Sequence, residues 1–138
     1  MVSDATLRTD VWTAVRTILV SAALQVTDGS TVKNATVGAA YNDKNTSKPQ
    51  VIIYPMSHDE SEYKFGSDQG KKLINVTLEA YYSNTLGVDQ LSDQIDVALK
   101  ETPISGAELI GVTSDYTFTN PLESKFHSNV MTYTYDRE

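Results

Sequence analysis

The sequence predicts an α+β fold of two layers, in which two helices pack on a central, mostly antiparallel sheet of four to five strands. Three observations lead to this prediction. A helical pattern occupies the N-terminus, a strand pattern changes into a helix pattern across a short polar turn near the middle, and two more strand patterns close the chain. The predicted order of elements is therefore α-β-β-β-α-β-β.

The first helix is predicted over about residues 4–24. Its apolar residues recur at steps of three and four, the spacing of one buried helix face. They are Leu7, Val11, Ala14, Val15, Ile18, Leu19 and Ala22. Ser3 is a candidate N-cap. Trp12 lies beside the apolar face, and we expect it at the edge of the core, with a subunit contact as the alternative.

The region after the first helix carries weaker signals. Asp28-Gly29-Ser30 is typical of a turn, and the pattern after it allows a short strand over Thr31–Val37. The compact run Gln50–Tyr54 is rich in β-branched residues and stops at Pro55, which favours a central strand. Residues 55–71, which include four acidic residues, are predicted to form an extended loop or a hairpin arm.

Residues 72–100 contain the clearest signal. From Leu73 to Tyr82 side chains are predicted to point alternately to a buried and a mostly solvated face, as in a strand of a sheet with one covered side. From Val88 onward the apolar step changes to three and four, which predicts a helix with one buried face. The residues expected in its core are Leu91, Ile95 and Leu99, and those expected on its outer side are Asp89, Asp93 and Asp96.

Two antiparallel strands are predicted at the C-terminus. The first covers Leu109–Thr119, and the turn signal Asn120-Pro121 follows it. The second covers Lys125–Tyr135, where the alternation slips near Val130 and Met131 in the way that a β-bulge would cause.

The composition limits the function. With 138 residues the chain suits a single domain over residues 1–138. The net charge of −7 argues against binding of a phosphate backbone as the main task. The sequence has no cysteine, which excludes thiolate metal sites and a cysteine nucleophile. The charged N-terminus lacks the apolar run of a signal peptide or a membrane span, so we expect no membrane contact and synthesis in the cytoplasm.

Three patterns suggest chemistry, and each has a simpler interpretation. Gly66–Lys72 is similar to a phosphate loop, but its glycine spacing is one residue short and a strand follows where a helix is required. His58–Glu62 offers metal-ligand residue types within a predicted loop, which we interpret as solvated. His127 has no nucleophile-elbow serine to pair with. We expect no catalytic residue, no metal and no cofactor, and we expect that the protein is not an enzyme.

The chain resembles the tail-terminator and tail-completion proteins of long-tailed, siphovirus-like viruses of bacteria and archaea. The resemblance lies in the long N-terminal helix, the QVIIYP strand, the polar arm, the strand INVTLEAYY, the helix VDQLSDQIDVALK and the closing strand pair. It covers nearly the whole chain and rests on element order and size, without a diagnostic motif.

The resemblance implies a virion protein of the tail or neck, assembled in the host cytoplasm. Such a protein forms a homo-oligomeric ring, expected to be a hexamer, that caps the tail tube and joins it to the head. Its partners are the tail tube protein and the head-tail connector protein, and DNA passes through the ring without specific binding. The arm would reach a neighbouring subunit, with His58, Glu60, Tyr63 and Phe65 as candidate residues. Asp89, Asp93 and Asp96 would form an acidic channel surface or a solvent face.

Two other classes stay open. A head-tail connector or adaptor protein of the neck would share the lack of chemistry and differ in its partner surfaces. A free-standing ferredoxin-like domain that binds a small ligand would need a pocket and no ring.

Overall fold

The structure, a computed structural model, describes residues 4–40, 48–54, 73–118 and 127–137. Its elements are α1 (Asp4–Ser21), β1 (Gln25–Asp28), β2 (Thr31–Asn34), β3 (Thr36–Gly38), β4 (Gln50–Ile53), β5 (Ile74–Tyr82), α2 (Thr85–Glu101), β6 (Ala107–Phe118) and β7 (His127–Arg137). Two helices and mostly antiparallel strands around a central sheet confirm the predicted α+β fold.

Five strands form the central sheet in the order β3-β4-β5-β7-β6. β3 runs parallel to β4, and each of the other neighbouring pairs is antiparallel. β5 lies at the centre, where it pairs with β4 on one side and with β7 along its whole length on the other. Along β5 each buried residue is followed by a half-buried one, as the alternation in the sequence predicts.

One hydrophobic core joins both helices to one side of the sheet, which we call the first face. The core takes every second residue of β5, from Ile74 to Tyr82, together with Val51 and Ile53 of β4. Its main members from the helices are Val11, Val15, Leu19, Val88, Leu91, Ile95 and Leu99. Burial of a side chain of this size contributes about 1.5–3 kcal/mol. Since both helices pack on the first face, the fold has the predicted two layers.

The start of α2 follows from its local sequence. Asn84 has an extended backbone with φ of −141°, and its Oδ1 accepts a hydrogen bond of 2.8 Å from the Gly87 N–H. This is the N-cap geometry that asparagine favours. The Tyr82 ring lies against Gly87 so closely that a Cβ there would be 2.9 Å from Tyr82 Cε2. The glycine therefore lets the helix begin directly beside the end of β5.

The prediction of one strand over Thr31–Val37 is wrong. The segment forms β2 and β3, which are separated at Ala35, where the N–H donates a hydrogen bond of 2.8 Å to Leu24 O. β2 pairs with β1 in a separate two-stranded hairpin, turned at Gly29 with φ of 62°. The described residues between the helices therefore form five strands, whereas three were predicted. The segment changes partner at Ala35, which no periodicity reveals.

The predicted bulge near Val130 and Met131 is also wrong. β7 pairs with β5 without interruption across these residues, and the irregularity lies on β6 between Leu109 and Gly111. Ile110 is the extra residue there, and half of its surface is exposed. Two consecutive apolar residues fit a regular β7 because Met131 belongs to the core, whereas Val130 lies on the opposite side of the sheet.

Candidate interaction surfaces

The candidate arm residues lie outside the part of the chain that the structure describes. His58, Glu60, Tyr63 and Phe65 all fall within residues 55–72. Their contact with a neighbouring subunit stays a prediction.

The three candidate aspartates of α2 do not form a uniform exposed set. Asp89 and Asp93 are exposed, whereas Asp96 is half-buried. Asp96 Oδ1 accepts a hydrogen bond of 3.1 Å from the Tyr133 hydroxyl, and its Oδ2 lies 2.9 Å from Lys100 Nζ. Asp96 therefore connects α2 to the sheet and has a cation beside it. Of the three aspartates, only Asp89 and Asp93 carry exposed charge.

The outer side of α2 also exposes two apolar side chains. Leu86 is 65% exposed and Val97 is 46% exposed. Both share one side of the helix with Asp89 and Asp93, since the four residues follow one another at steps of three or four. This side therefore combines acidic groups with apolar ends.

Two glutamines of α2 bind the backbone of β1. The Gln94 side chain accepts a hydrogen bond of 3.0 Å from the Gln25 N–H and donates one of 2.7 Å to Gln25 O. The Gln90 side chain makes the same two bonds with Thr27, at 2.8 and 3.1 Å. We call Gln90 and Gln94 the glutamine pair. It holds the β1–β2 hairpin against α2.

The spacing of the glutamine pair matches the strand. Four helix residues rise about 6 Å, and two strand residues extend about 6.8 Å. Residues two apart in a strand direct their backbone groups to the same edge, so the glutamine pair occupies the edge of β1 that a further strand would take. Sequence reasoning missed this contact. The only signal was the four-residue spacing of the two glutamines, because β1 itself shows no strand pattern.

The side of the sheet opposite the core, which we call the second face, has no described helix packed on it. Its residues alternate with those of the core. They are Gln50, Ile52 and Tyr54, then Asn75, Thr77, Glu79 and Tyr81 of β5, Ser128, Val130, Thr132, Thr134 and Asp136 of β7, and Glu108, Gly111, Thr113 and Asp115 of β6. Polar side chains join its strands, as in the 2.8 Å hydrogen bond from Thr134 Oγ1 to Asn75 Oδ1.

Two tyrosine hydroxyls meet a carboxylate on the second face. The Tyr54 hydroxyl donates a hydrogen bond of 2.5 Å to Glu79 Oε1 and lies 3.5 Å from the Tyr81 hydroxyl. Tyr81 is hydrogen-bonded to Glu79 as well. We call Tyr54, Glu79 and Tyr81 the tyrosine–glutamate cluster. Ile52 pairs directly with Glu79 across β4 and β5 and is only 3% exposed, so a buried apolar side chain lies beside the carboxylate of the cluster.

The environment keeps both hydroxyls of the cluster protonated. Burial raises the pKa of Tyr81, and its hydrogen bonds to Tyr54 and Glu79 raise it further. Burial also raises the pKa of Tyr54, together with the hydrogen bond to Glu79. At neutral pH both tyrosines are therefore donors, and the negative charge of the cluster resides on Glu79.

The described part of the second face is acidic. Glu79, Glu108, Asp115 and Asp136 lie on it, and none of its described residues is a lysine or an arginine. Asp115 shares a cross-strand row with Glu79, with Val130 between them. Strands two apart in a sheet are separated by about 10 Å. The surface therefore has an electrostatic preference for a cationic partner.

Three tyrosines of the sheet belong to the interior. Tyr82, Tyr133 and Tyr135 are buried. The Tyr82 hydroxyl donates a hydrogen bond of 2.8 Å to Asp28 Oδ2. The Tyr135 hydroxyl has no hydrogen-bond partner among the described residues, and burial raises the pKa of Tyr135 to about 12. Only Tyr54 and Tyr81 bring tyrosine to the described second face.

A partly buried chain of polar side chains connects α2 to the sheet. Asn129 Nδ2 donates a hydrogen bond of 2.9 Å to Ser92 Oγ, and Asn129 Oδ1 accepts one of 2.8 Å from Ser114 Oγ. Ser92 Oγ in turn donates to Val88 O over 2.8 Å. Since a shift of α2 would take Ser92 away from the buried Asn129 amide, these hydrogen bonds fix the position of the helix on the sheet.

The described residues include no group of three or more histidine, aspartate or glutamate side chains that could hold a metal ion. Within the same ranges, neither helix is long and apolar enough to cross a membrane.

No protein-family model matches this chain, and no curated protein matches it in sequence.

Proposed function

We propose that this protein is a virion structural protein, a tail terminator that forms a homo-oligomeric ring on the end of the tail tube and joins the tube to the head. The observation that carries the proposal is the difference between the two faces of the sheet. Both helices lie on the first face, and the second face has no described helix against it.

A ring needs two different surfaces on each subunit, because a heterologous contact repeats around a closed circle. The fold offers two such surfaces. One is the outer side of α1, and the other is the β6 edge of the central sheet, beside which no described strand lies. A hexamer is the expected stoichiometry, and the element order that resembles tail terminators supports the same assignment.

The charge of the subunit also supports the proposal. The exposed residues Asp89 and Asp93 would repel a phosphate backbone, and the net charge of −7 works in the same direction. A channel lined by such residues lets DNA pass without binding it.

The proposal is tested on purified protein, alone and mixed with the tail tube protein encoded in the same gene neighbourhood. Light scattering gives the mass of the particle, and negative-stain microscopy gives its shape. We expect a hollow sixfold ring, formed by the protein alone or on the end of the tube. A compact monomer or dimer in both samples, or a neighbourhood of metabolic genes without capsid or tail genes, would contradict the proposal.

The arm is tested by deletion of residues 57–69. If the arm reaches a neighbouring subunit, the shortened protein folds as a monomer, with the circular dichroism spectrum of a folded α+β protein. Rings that still form without these residues would show that the arm is not needed for assembly.

A further inference from the structure

The tyrosine–glutamate cluster holds a carboxylate that the described chain does not neutralise. Glu79 is half-buried, and its described bonds are with the hydroxyls of Tyr54 and Tyr81. No described lysine or arginine forms an ion pair with it, whereas Asp96 has Lys100 at 2.9 Å. A carboxylate that is partly removed from water attracts a cation more strongly than one on an open surface.

We propose that this cluster is a binding site for an arginine side chain of a partner protein. A guanidinium group is planar, presents several N–H donors to a carboxylate, and is weakly enough hydrated to stack on an aromatic ring. Tyr54, 37% exposed, and the half-buried Tyr81 place two rings beside Glu79. A cation within about 6 Å of a ring centre gains a further cation–π attraction.

The surroundings of the cluster select a basic partner. Asp115 lies on the same row of the second face, beyond Val130, and Glu108 and Asp136 add negative charge three rows further along the same face. Two copies of this face would repel each other. The complementary partner surface has an arginine that reaches Glu79. It has a second basic group about 10 Å away, opposite Asp115.

The cluster is held in place before a partner arrives. The Trp12 indole N–H of α1 donates a hydrogen bond of 3.0 Å to Tyr54 O, and the Tyr54 N–H donates one of 2.9 Å to Thr77 O. Both anchor the backbone from which the Tyr54 side chain reaches Glu79. Because little has to be ordered on binding, more of the interaction energy appears as affinity. This inference stands independently of the ring.

The test uses the full-length protein labelled with ¹⁵N and titrated with N-acetyl-arginine amide. The matched probes are the citrulline amide, which has the same shape without charge, and the lysine amide, which has the charge without the planar group. We expect saturable shifts of the backbone amides of residues 54, 79 and 81 with the arginine probe. The citrulline probe should bind at least about tenfold more weakly, equal to about 1.4 kcal/mol.

Two variants locate the site. Glu79→Gln keeps an acceptor for the Tyr54 hydroxyl and removes the charge, so arginine affinity should fall at least about tenfold while the spectrum stays that of a folded protein. Asp93→Asn removes one exposed charge from α2, outside the second face, and affinity should change less than about twofold because exposed charges are screened. The comparison of the three probes on the unaltered protein needs no variant.

Three results would overturn the proposal. The first is an equal response to the arginine and citrulline probes. The second is an equal response to the arginine and lysine probes, which would mean that charge alone is recognised. The third is self-association that both Arg16→Gln and Glu79→Gln abolish, since the cation would then come from the exposed Arg16 of a second copy and not from a different protein.

Discussion

Ala23 follows α1 in a left-handed conformation, with φ of 51°. It is the only non-glycine residue with positive φ among the described residues. This conformation suits the end of a helix, but it costs an alanine about 1 kcal/mol more than a glycine. The Cβ of Ala23 therefore destabilises the folded protein at the end of α1.

Ala23→Gly is therefore expected to raise the free energy of unfolding by about 0.5–1 kcal/mol. Urea denaturation followed by circular dichroism measures the change. Ala22→Gly is the matched control, because the Ala22 N–H continues the helix with a 2.9 Å hydrogen bond to Ile18 O and its φ is not positive. The control should lose stability, and a gain there equal to that of Ala23→Gly would contradict the explanation.

Gly87→Ala should destabilise the protein by about 1–3 kcal/mol, although alanine favours helices over glycine. The added Cβ would collide with the Tyr82 ring, whose buried position and hydrogen bond to Asp28 leave it little room to move. Thermal unfolding measures the effect. Gly111→Ala is the control, since a Cβ there meets no atom within 4 Å. Equal losses in the two variants would show that the Tyr82 ring is not the cause.

Among the elements, the β1–β2 hairpin is held against α2 through four hydrogen bonds to its backbone. Replacing both members of the glutamine pair with leucine removes four hydrogen bonds, each worth about 0.5–1.5 kcal/mol. We expect the amide protons of Gln25 and Thr27 to exchange with solvent at least about tenfold faster, by local opening of the hairpin.

Hydrogen exchange followed by NMR measures this opening. The amides at the centre of β5 should keep their protection, because the core does not include the glutamine pair. Asp93→Asn is the control on the same helix, and its exposed side chain has no role in holding β1. Unchanged exchange at Gln25 and Thr27 in the double variant would mean that other contacts hold the hairpin.

Elements that bury many apolar side chains could be predicted from the sequence, and elements that bury few could not. β5 and α2 were predicted closely, since their apolar spacing reflects a single buried face from Ile74 to Leu99. β1 could not be predicted, because only Val26 of its four residues is buried and its free edge is paired by side chains more than 60 residues away. The bulge was misplaced because the position of Ile110 depends on pairing register, which the apolar pattern of β7 does not encode.

For the molecule as a whole, high pH should weaken the fold through its buried tyrosines. Burial raises the pKa of Tyr135 to about 12, and burial together with Asp96 raises the pKa of Tyr133. The folded protein therefore keeps protons that the unfolded chain releases near pH 10. This contribution to stability is fully present below pH 10 and is lost as the pH rises toward 12.

Tyr135→Phe separates the cost of burying an unpaired hydroxyl from the loss of stability when that hydroxyl ionises. At neutral pH the variant should be at least as stable as the parent, since it removes a buried hydroxyl without a described partner, a defect that costs about 1–3 kcal/mol. Between pH 10 and 12 its stability should fall less steeply. Denaturant unfolding across this range measures both. Tyr133→Phe, which loses a hydrogen bond to Asp96, should be less stable at neutral pH.

The candidate site shows what a sequence leaves open at the scale of the molecule. The polar face of β5 was predicted, and Glu79 and Tyr81 belong to it. Their meeting with Tyr54 was not predicted, because it depends on the register of β4 against β5 and on a side chain just beyond the strand. For the same reason the half-burial of Asp96 was missed, since Tyr133 is 37 residues away in the chain.

The glutamine pair has a consequence for how the sequence can vary. It holds β1 by N–H and C=O groups, which every residue except proline supplies in full. The side chains at positions 25 and 27 are exposed and take no part in these hydrogen bonds. The exposed side chains at positions 25 and 27 can therefore vary without loss of these bonds, while the glutamines at positions 90 and 94 keep the hairpin attached to α2.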